Sequence, residues 1–152
     1  MQRAITSFSI DAAGDPVALL SCGHPQHVRH QPPFFERPWV TTEEGRAGML
    51  GRPLECVRCD RRELPPEFVA YKRTPEYTET TIPAGLTYDH NTRAGVWGKI
   101  VVTEGSLRYD IDAIDYTTLL TPEAPGIVVP EQHHRIDASG PVRFYVEFYR
   151  AP

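Results

Sequence analysis

Apolar residues in the second half of the chain recur at every second position, in short runs. "KIVVTE", "SLRYDI", "DYTTLL", "GIVVP" and "VRFYVEFY" are rich in β-branched and aromatic residues and are broken by turn sequences such as "EGS" and "PEAPG". Each run predicts a strand with one buried face, and "YTETTI", near residue 76, opens the series. Short strands at this spacing predict a closed or double-sheet β structure rather than a parallel α/β sheet. The first half is more thinly patterned. There "AITSFSI", a turn at "AGD" and "PVALLS" predict a hairpin, followed by a polar His-rich loop and "LECVRCD". The best helix candidate is "TTEEGRAGMLG", with Thr41 as cap, Glu44 three residues on as in a capping box, and Gly51 as stop. Fifteen prolines and eleven glycines interrupt every longer helical pattern. "RRELPP", residues 61–66, can continue neither a helix nor a central strand and reads as a linker. The expected organisation is a small α+β segment over residues 1–62 and a mainly β domain over residues 63–152.

Composition narrows the partners. An apolar content of 40% and a charged content of 24% are those of a folded globular chain. The net charge is −4 and the basic residues are scattered, so no stripe exists to neutralise a phosphate backbone, and nucleic acid is not expected as a partner. No apolar run exceeds about five residues, so neither a membrane span nor an export signal is visible, and the expected compartment is the cytoplasm. Three cysteines leave any disulfide scheme with a thiol over, and a reducing compartment would keep all three as thiols.

The chemistry concentrates in two places. In "SCGHPQHVRH", Cys22 stands two residues before His24 and five before His27, and Cys56 and Cys59 form a CxxC pair about thirty residues later. Three cysteines and one histidine are the soft-to-borderline donors that tetrahedral zinc prefers. A segment with a thin core gains most from such a metal, because its binding free energy becomes folding free energy. Either His24 or His27 could be the fourth ligand, while His30 reads as a supporting or surface group. A redox CxxC is the competing reading, and it would leave Cys22 and the histidines unexplained.

The text "CGHPQHVRHQPPFFERPWV" followed by "CVRC" resembles a small Cys/His-rich bacterial domain, a resemblance that implies no particular activity. In the second half, "GLTYDHNTRAGVWGKIVVTEGSLRY" and "GIVVPEQHHRI" resemble the two motifs of the cupin superfamily: strand, His, turn, strand ending in Gly, then a strand leading to His. With "VRFYVEFYR" they are similar to the cupin domain of the tellurite-resistance protein TehB, over nearly all of residues 67–152.

The resemblance implies a jelly-roll barrel, that is, a cupin-type double-sheet β-barrel preceded by a zinc-ribbon-like α+β mini-domain. It makes His90 and His134 the motif histidines and His133 an extra ligand or a packing substitute. The sequence departs from the cupin ligand set, since His90-Asn91-Thr92 stands where His-x-His is usual and "AGVWGKI" carries no glutamate. Glu147, the one acid in an aromatic strand, is a candidate third ligand. With His90 and His134 it would make a two-His, one-carboxylate set suited to Zn, Fe or Ni. An ion pair of Glu147 with Lys99 or Arg143 is the alternative. The family arrangement would also put Tyr88, Trp97 and Tyr109 at the mouth of a ligand pocket, with Lys99 and His133 beside them, or leave these aromatics in the core.

The resulting expectation is a metal-binding cupin protein that binds or senses a small molecule or metal in a tellurite or oxidant stress setting, with zinc stabilising its first segment. The alternative is a small metalloenzyme, a dioxygenase or isomerase, using His90, His134 and Glu147. Cupins commonly pair sheets between copies, which leaves a homodimer open.

Overall fold

The N-terminal hairpin forms from β1 (Gln2–Ile10) and β2 (Pro16–Leu20), paired antiparallel with Ile5 opposite Leu20. Its turn is fixed by the Asp11 carboxylate, which accepts from the backbone N–H groups of Ala13 and Asp15 at 2.9 Å each. β3 (Pro25–His27) adds to the free side of β2 and β4 (Pro53–Glu55) to the free side of β1, giving the order β3-β2-β1-β4. Between them the expected helix is shorter and shifted. Pro38–Thr41 make a 3-10 turn, and α1 spans only Glu43–Ala47. Its cap is Thr42, whose Oγ1 accepts from the Gly45 N–H at 3.0 Å, in place of Thr41. Gly45 and Gly48 contribute too little helix propensity to carry it further. A second short helix, α2 (Val57–Asp60), follows β4.

The model is a computed structural model describing all residues from Met1 to Pro152, and the chain divides into two compact units, Met1–Pro65 and Pro66–Pro152. In the first, the buried aliphatic side chains are few: Ile5, Ala18, Leu20, Val28 and Val40. Cys22, Cys56 and Cys59 are buried too.

The second unit is β throughout apart from one short helix and a 3-10 turn at Asp112–Ile114. Its elements are β5 (Val69–Arg73), β6 (Tyr77–Thr78), α3 (Ala84–Tyr88), β7 (Trp97–Gly105), β8 (Leu107–Ile111), β9 (Tyr116–Leu120), β10 (Gly126–Val128), β11 (Arg135–Asp137) and β12 (Val142–Arg150). One sheet runs β10-β7-β12-β5, with β6 also on β12, and the other runs β11-β8-β9.

Alternation decides which side chains enter the core. In β12, Val142, Phe144 and Val146 are buried while Arg143 is exposed. They meet Ile100 and Val102 of β7, Leu107, Tyr109 and Ile111 of β8, Leu120 of β9, Val128 of β10 and Ile136 of β11 in one cluster fed by both sheets. The chain passes from the first sheet to the second through Gly105, at φ +75°, where an added Cβ would stand 2.1 Å from the Pro141 carbonyl oxygen. No other residue type fits that turn without backbone movement.

Candidate functional site

Both β2 and β4 run antiparallel to β1, so the residues that follow them arrive at the same end of β1. The Ser21 N–H donates to the Ala4 carbonyl and the Cys56 N–H to the Met1 carbonyl, each at 2.8 Å. After β2 the chain turns at Gly23, with φ +92°, so that Cys22 and His24 point to one place. After β4, Cys56 caps α2 and Cys59 sits one turn on, with its N–H directed at the Cys56 carbonyl at 3.2 Å.

The four side chains converge. His24 Nδ1 lies 3.5 Å from Cys22 Sγ, 3.3 Å from Cys56 Sγ and 3.8 Å from Cys59 Sγ, and the Cys22 and Cys56 sulfurs are 3.8 Å apart. Ligands about 2.3 Å (S) and about 2.0 Å (N) from a tetrahedral zinc would lie about 3.8 Å apart for two sulfurs and about 3.5 Å apart for sulfur and nitrogen. The donor set and its spacing therefore fit zinc. All three cysteines are free thiols, and the four residues are almost wholly inaccessible.

The remaining nitrogen of His24 is spoken for: Nε2–H donates to the Glu63 carbonyl at 2.7 Å, which leaves the Nδ1 lone pair facing the sulfurs. A backbone acceptor of this kind fixes the tautomer and orientation of a metal-binding imidazole. The thiols divide a limited amount of charge among themselves. A hydrogen bond from Cys59 holds the Cys22 thiol down at about 4, against burial. Burial pushes Cys56 up, and Cys59 is pushed up chiefly by its own bond to Cys22. A dication would offset the repulsion that prevents three thiolates from coexisting here. The buried guanidinium of Arg3 also favours the Cys59 thiolate.

His27 is outside this cluster. It stands on β3 with its ring exposed, and its Nε2 lies 2.8 Å from the Asp11 carboxylate. His30 accepts from the Arg37 N–H at 3.0 Å.

In the second unit, His90 and His134 are brought together by a two-residue antiparallel bridge, each N–H donating to the other's carbonyl at 2.9 Å. Their rings are 5.4 Å apart between centroids, edge to face, and Tyr109 packs edge-on against His134 at 5.6 Å. His134 Nδ1–H donates to the Gln132 carbonyl at 3.1 Å, which leaves Nε2 as its acceptor. His90 Nδ1 is buried with no hydrogen-bond partner. Burial lowers the pKa of both rings. In His134 the neighbouring His90 lowers it further, against the pull of the Gln132 carbonyl. Both are therefore neutral at physiological pH.

Both histidines line a cavity of about 310 Å³ whose walls are largely apolar, among them Leu86, Ile100, Val128, Val146 and Phe148. No carboxylate lines it.

Of the other residues singled out in the sequence, most lie elsewhere. Glu147 sits on the opposite face of β12 from Val146 and Phe148. It pairs with Arg73 of β5 at 3.2 Å, so the histidine pair has no carboxylate third ligand. Lys99 is on the outer face of β7, opposite Glu147 in register, while its neighbours Gly98 and Ile100 face the cavity. Trp97 is fully buried, and Tyr109 is a core residue whose hydroxyl donates to the Ile127 carbonyl at 3.1 Å. Tyr88 is 78% exposed. With His133 it borders a separate cavity of about 50 Å³ around Asp110 and Arg135, and His133 is paired to Asp89 at 2.8 Å. The sequence did not single out Arg3, the Glu63 carbonyl, Thr92 or Lys72, and the last two line the histidine cavity.

Residues 72–146 match the family model described as the TehB-like domain. The second unit is a TehB-like domain. Residues 6–63 match the model described as a protein of unknown function, DUF3565. TehB of Haemophilus influenzae, described as a probable S-adenosyl-L-methionine-dependent methyltransferase, is 31% identical over 77 residues, which are 47% of this chain and 27% of that protein. The crystal structure of TehB from Haemophilus influenzae superposes with a TM-score of 0.52 at 28% identity, covering 57% of this chain and 32% of that one. The uncharacterized protein YeaR of Escherichia coli K12 is 28% identical over 100 residues, 59% of this chain and 84% of that protein. The chain thus spans about a quarter of TehB and most of YeaR. No helix is long and apolar enough to cross a membrane.

Proposed function

We propose that the protein is a ligand-binding module in which a zinc-stapled DUF3565 unit accompanies a TehB-like domain of the cupin barrel type, and that the barrel captures a small ligand beside His90 and His134. The observation that carries this reading is the largely apolar cavity of about 310 Å³ with the half-buried His90 and the buried His134, both neutral, in its wall and no acid. Concave apolar sites with a few convergent polar groups are the usual form of small-molecule sites. The two opposed antiparallel sheets sharing one core support the cupin assignment.

In the first unit Cys22, His24, Cys56 and Cys59 would hold the zinc. Four protein ligands leave no open position, so the metal would supply folding free energy rather than a reaction centre. Reduced thiols of this kind suit the cytoplasm. The tellurite or oxidant setting comes with the TehB-like resemblance alone. Methyl transfer is a description of the whole TehB protein, and the segment shared with this chain is the β domain. A metalloenzyme using His90, His134 and Glu147 is not favoured, because Glu147 is engaged by Arg73 on the other face of the sheet.

The test is titration of small organic amphiphiles into methyl-labelled protein. The methyl signals of Ile100, Val128 and Val146 should move, and those of the exposed Leu50 and Leu119 should stay. A library that moves none of the cavity methyls would remove the reading.

A further inference from the structure

The charge around the histidine cavity is unbalanced. Its walls contain no aspartate or glutamate, its two histidines are held neutral by burial, and one cation stands at its edge: Lys72. The register fixes which way Lys72 faces. On β5 it lies opposite Phe148 of β12, and both line the cavity, while the adjacent pair, Arg73 opposite Glu147, faces away and forms its own ion pair. The only acid near Lys72 along these strands is thus already taken by a different cation on the other face. Lys72 is solvent-accessible and has no carboxylate partner.

A lone ammonium at the mouth of a low-dielectric, acid-free cavity makes the entrance attractive to anions and unattractive to cations. Behind it the walls offer apolar surface from Ile100, Val128, Val146 and Phe148. The ammonium and the apolar walls belong to one cavity, so a ligand that satisfies both needs an apolar body and an anionic head. The cavity is at the small end of the range for organic ligands.

We propose that the ligand of the TehB-like barrel is a small amphipathic monoanion, a carboxylate on a short apolar body, held with its charge at Lys72 and its body against β7, β10 and β12. This rests on the small-ligand reading above and names the ligand class for it. A metal cation or a cationic organic molecule would meet repulsion at Lys72 and find no carboxylate beyond it. The histidines line the same cavity, where the unpartnered His90 Nδ1 and the His134 Nε2 would meet any hydrogen-bonding group on the ligand body.

The experiment compares hexanoate with hexanamide, which share a chain and differ in charge, on the full-length protein at pH 7.5, with the Ile100, Val128 and Val146 methyl signals as readout. Hexanoate should bind about fivefold more tightly than hexanamide, the worth of one solvent-accessible ion pair. Lys72→Met, which keeps the apolar stem, should erase that preference, bringing the two affinities together. Equal affinities in the wild type, or a preference that survives Lys72→Met, would overturn the anion assignment while leaving the pocket in place. Silence of the cavity methyls toward both probes would overturn the small-ligand reading itself, so the two failures are distinct. Because Lys72 is exposed and lies outside the core cluster, the variant should fold.

Discussion

His24 in the first unit and His134 in the second are both almost fully buried, and both give one ring nitrogen to a backbone carbonyl, Glu63 for the first and Gln132 for the second. What differs is the company of the other nitrogen. His24 Nδ1 faces three sulfurs within 3.3–3.8 Å, whereas His134 Nε2 belongs to a ring in the wall of an apolar cavity, with a neutral histidine beside it and no acid. The same side chain, anchored in each case to a backbone carbonyl, is thus set to serve as a metal ligand in the proposed zinc site and as a recognition group in the proposed ligand site. The energetics of the units differ in parallel. The second has eleven buried residues in a two-sheet cluster, and the first has five buried aliphatic side chains and a Cys3His set that could hold a metal. A thin core is where a bound metal would matter most, because it would supply what burial cannot.

Cys56→Ser breaks the comparison hardest. It should abolish metal binding and the cooperative unfolding of the first unit, since structural zinc contributes on the order of 10 kcal/mol. The amide dispersion of the second unit should persist, and chelator treatment of the wild type should reproduce the pattern. Gly105→Ala is the matching blow to the second unit. A Cβ placed 2.1 Å from the Pro141 carbonyl, at φ +75°, should cost about 2 kcal/mol or more in urea unfolding and leave metal content unchanged.

A smaller effect follows from pH. His90 and His134 have lowered pKa values in the folded state, so the unfolded chain binds more protons once pH falls below about 6.5. Stability from keeping them neutral is present above that pH and is lost as pH falls toward their folded values. The unfolding midpoint of the second unit should decline over this window, and His134→Gln should flatten the decline. The smallest effect is expected from His27→Ala. It removes an exposed contact with Asp11 and should leave metal content and melting temperature as in the wild type, whereas His24→Ala should lose the metal.

The long strands were legible because apolar and polar residues alternate along much of β7, β8 and β12, and burial follows that alternation over Gly98–Val102 and Val142–Val146, while in β8 the polar Asp110 is buried with its apolar neighbours. β5 was not, because all five of its residues are exposed and its strand character comes from pairing with β12. Lys72 was invisible for the same reason. β11 is three residues long, too short for a period to register. The cysteines and their spacing could be read directly, but the choice between His24 and His27 could not. It is set by β3 pairing, which puts His27 opposite Val17 on an exposed strand and leaves His24 in the turn before it. Glu147 illustrates the remaining gap, since alternation separates the faces of β12 without saying which one looks inward. Tyr88, Trp97 and Lys99 were expected around a pocket whose walls come instead from residues one position away on their strand or from α3 and β5.

Elemental analysis of the full-length protein, purified without chelator, separates a metal-held first unit from a second unit that holds none. One zinc per chain is expected, retained in the His90→Ala, His134→Ala double variant and absent from Cys56→Ser. Zinc that survives Cys56→Ser, or that disappears with His90 and His134, would refute the assignment of the metal to the first unit.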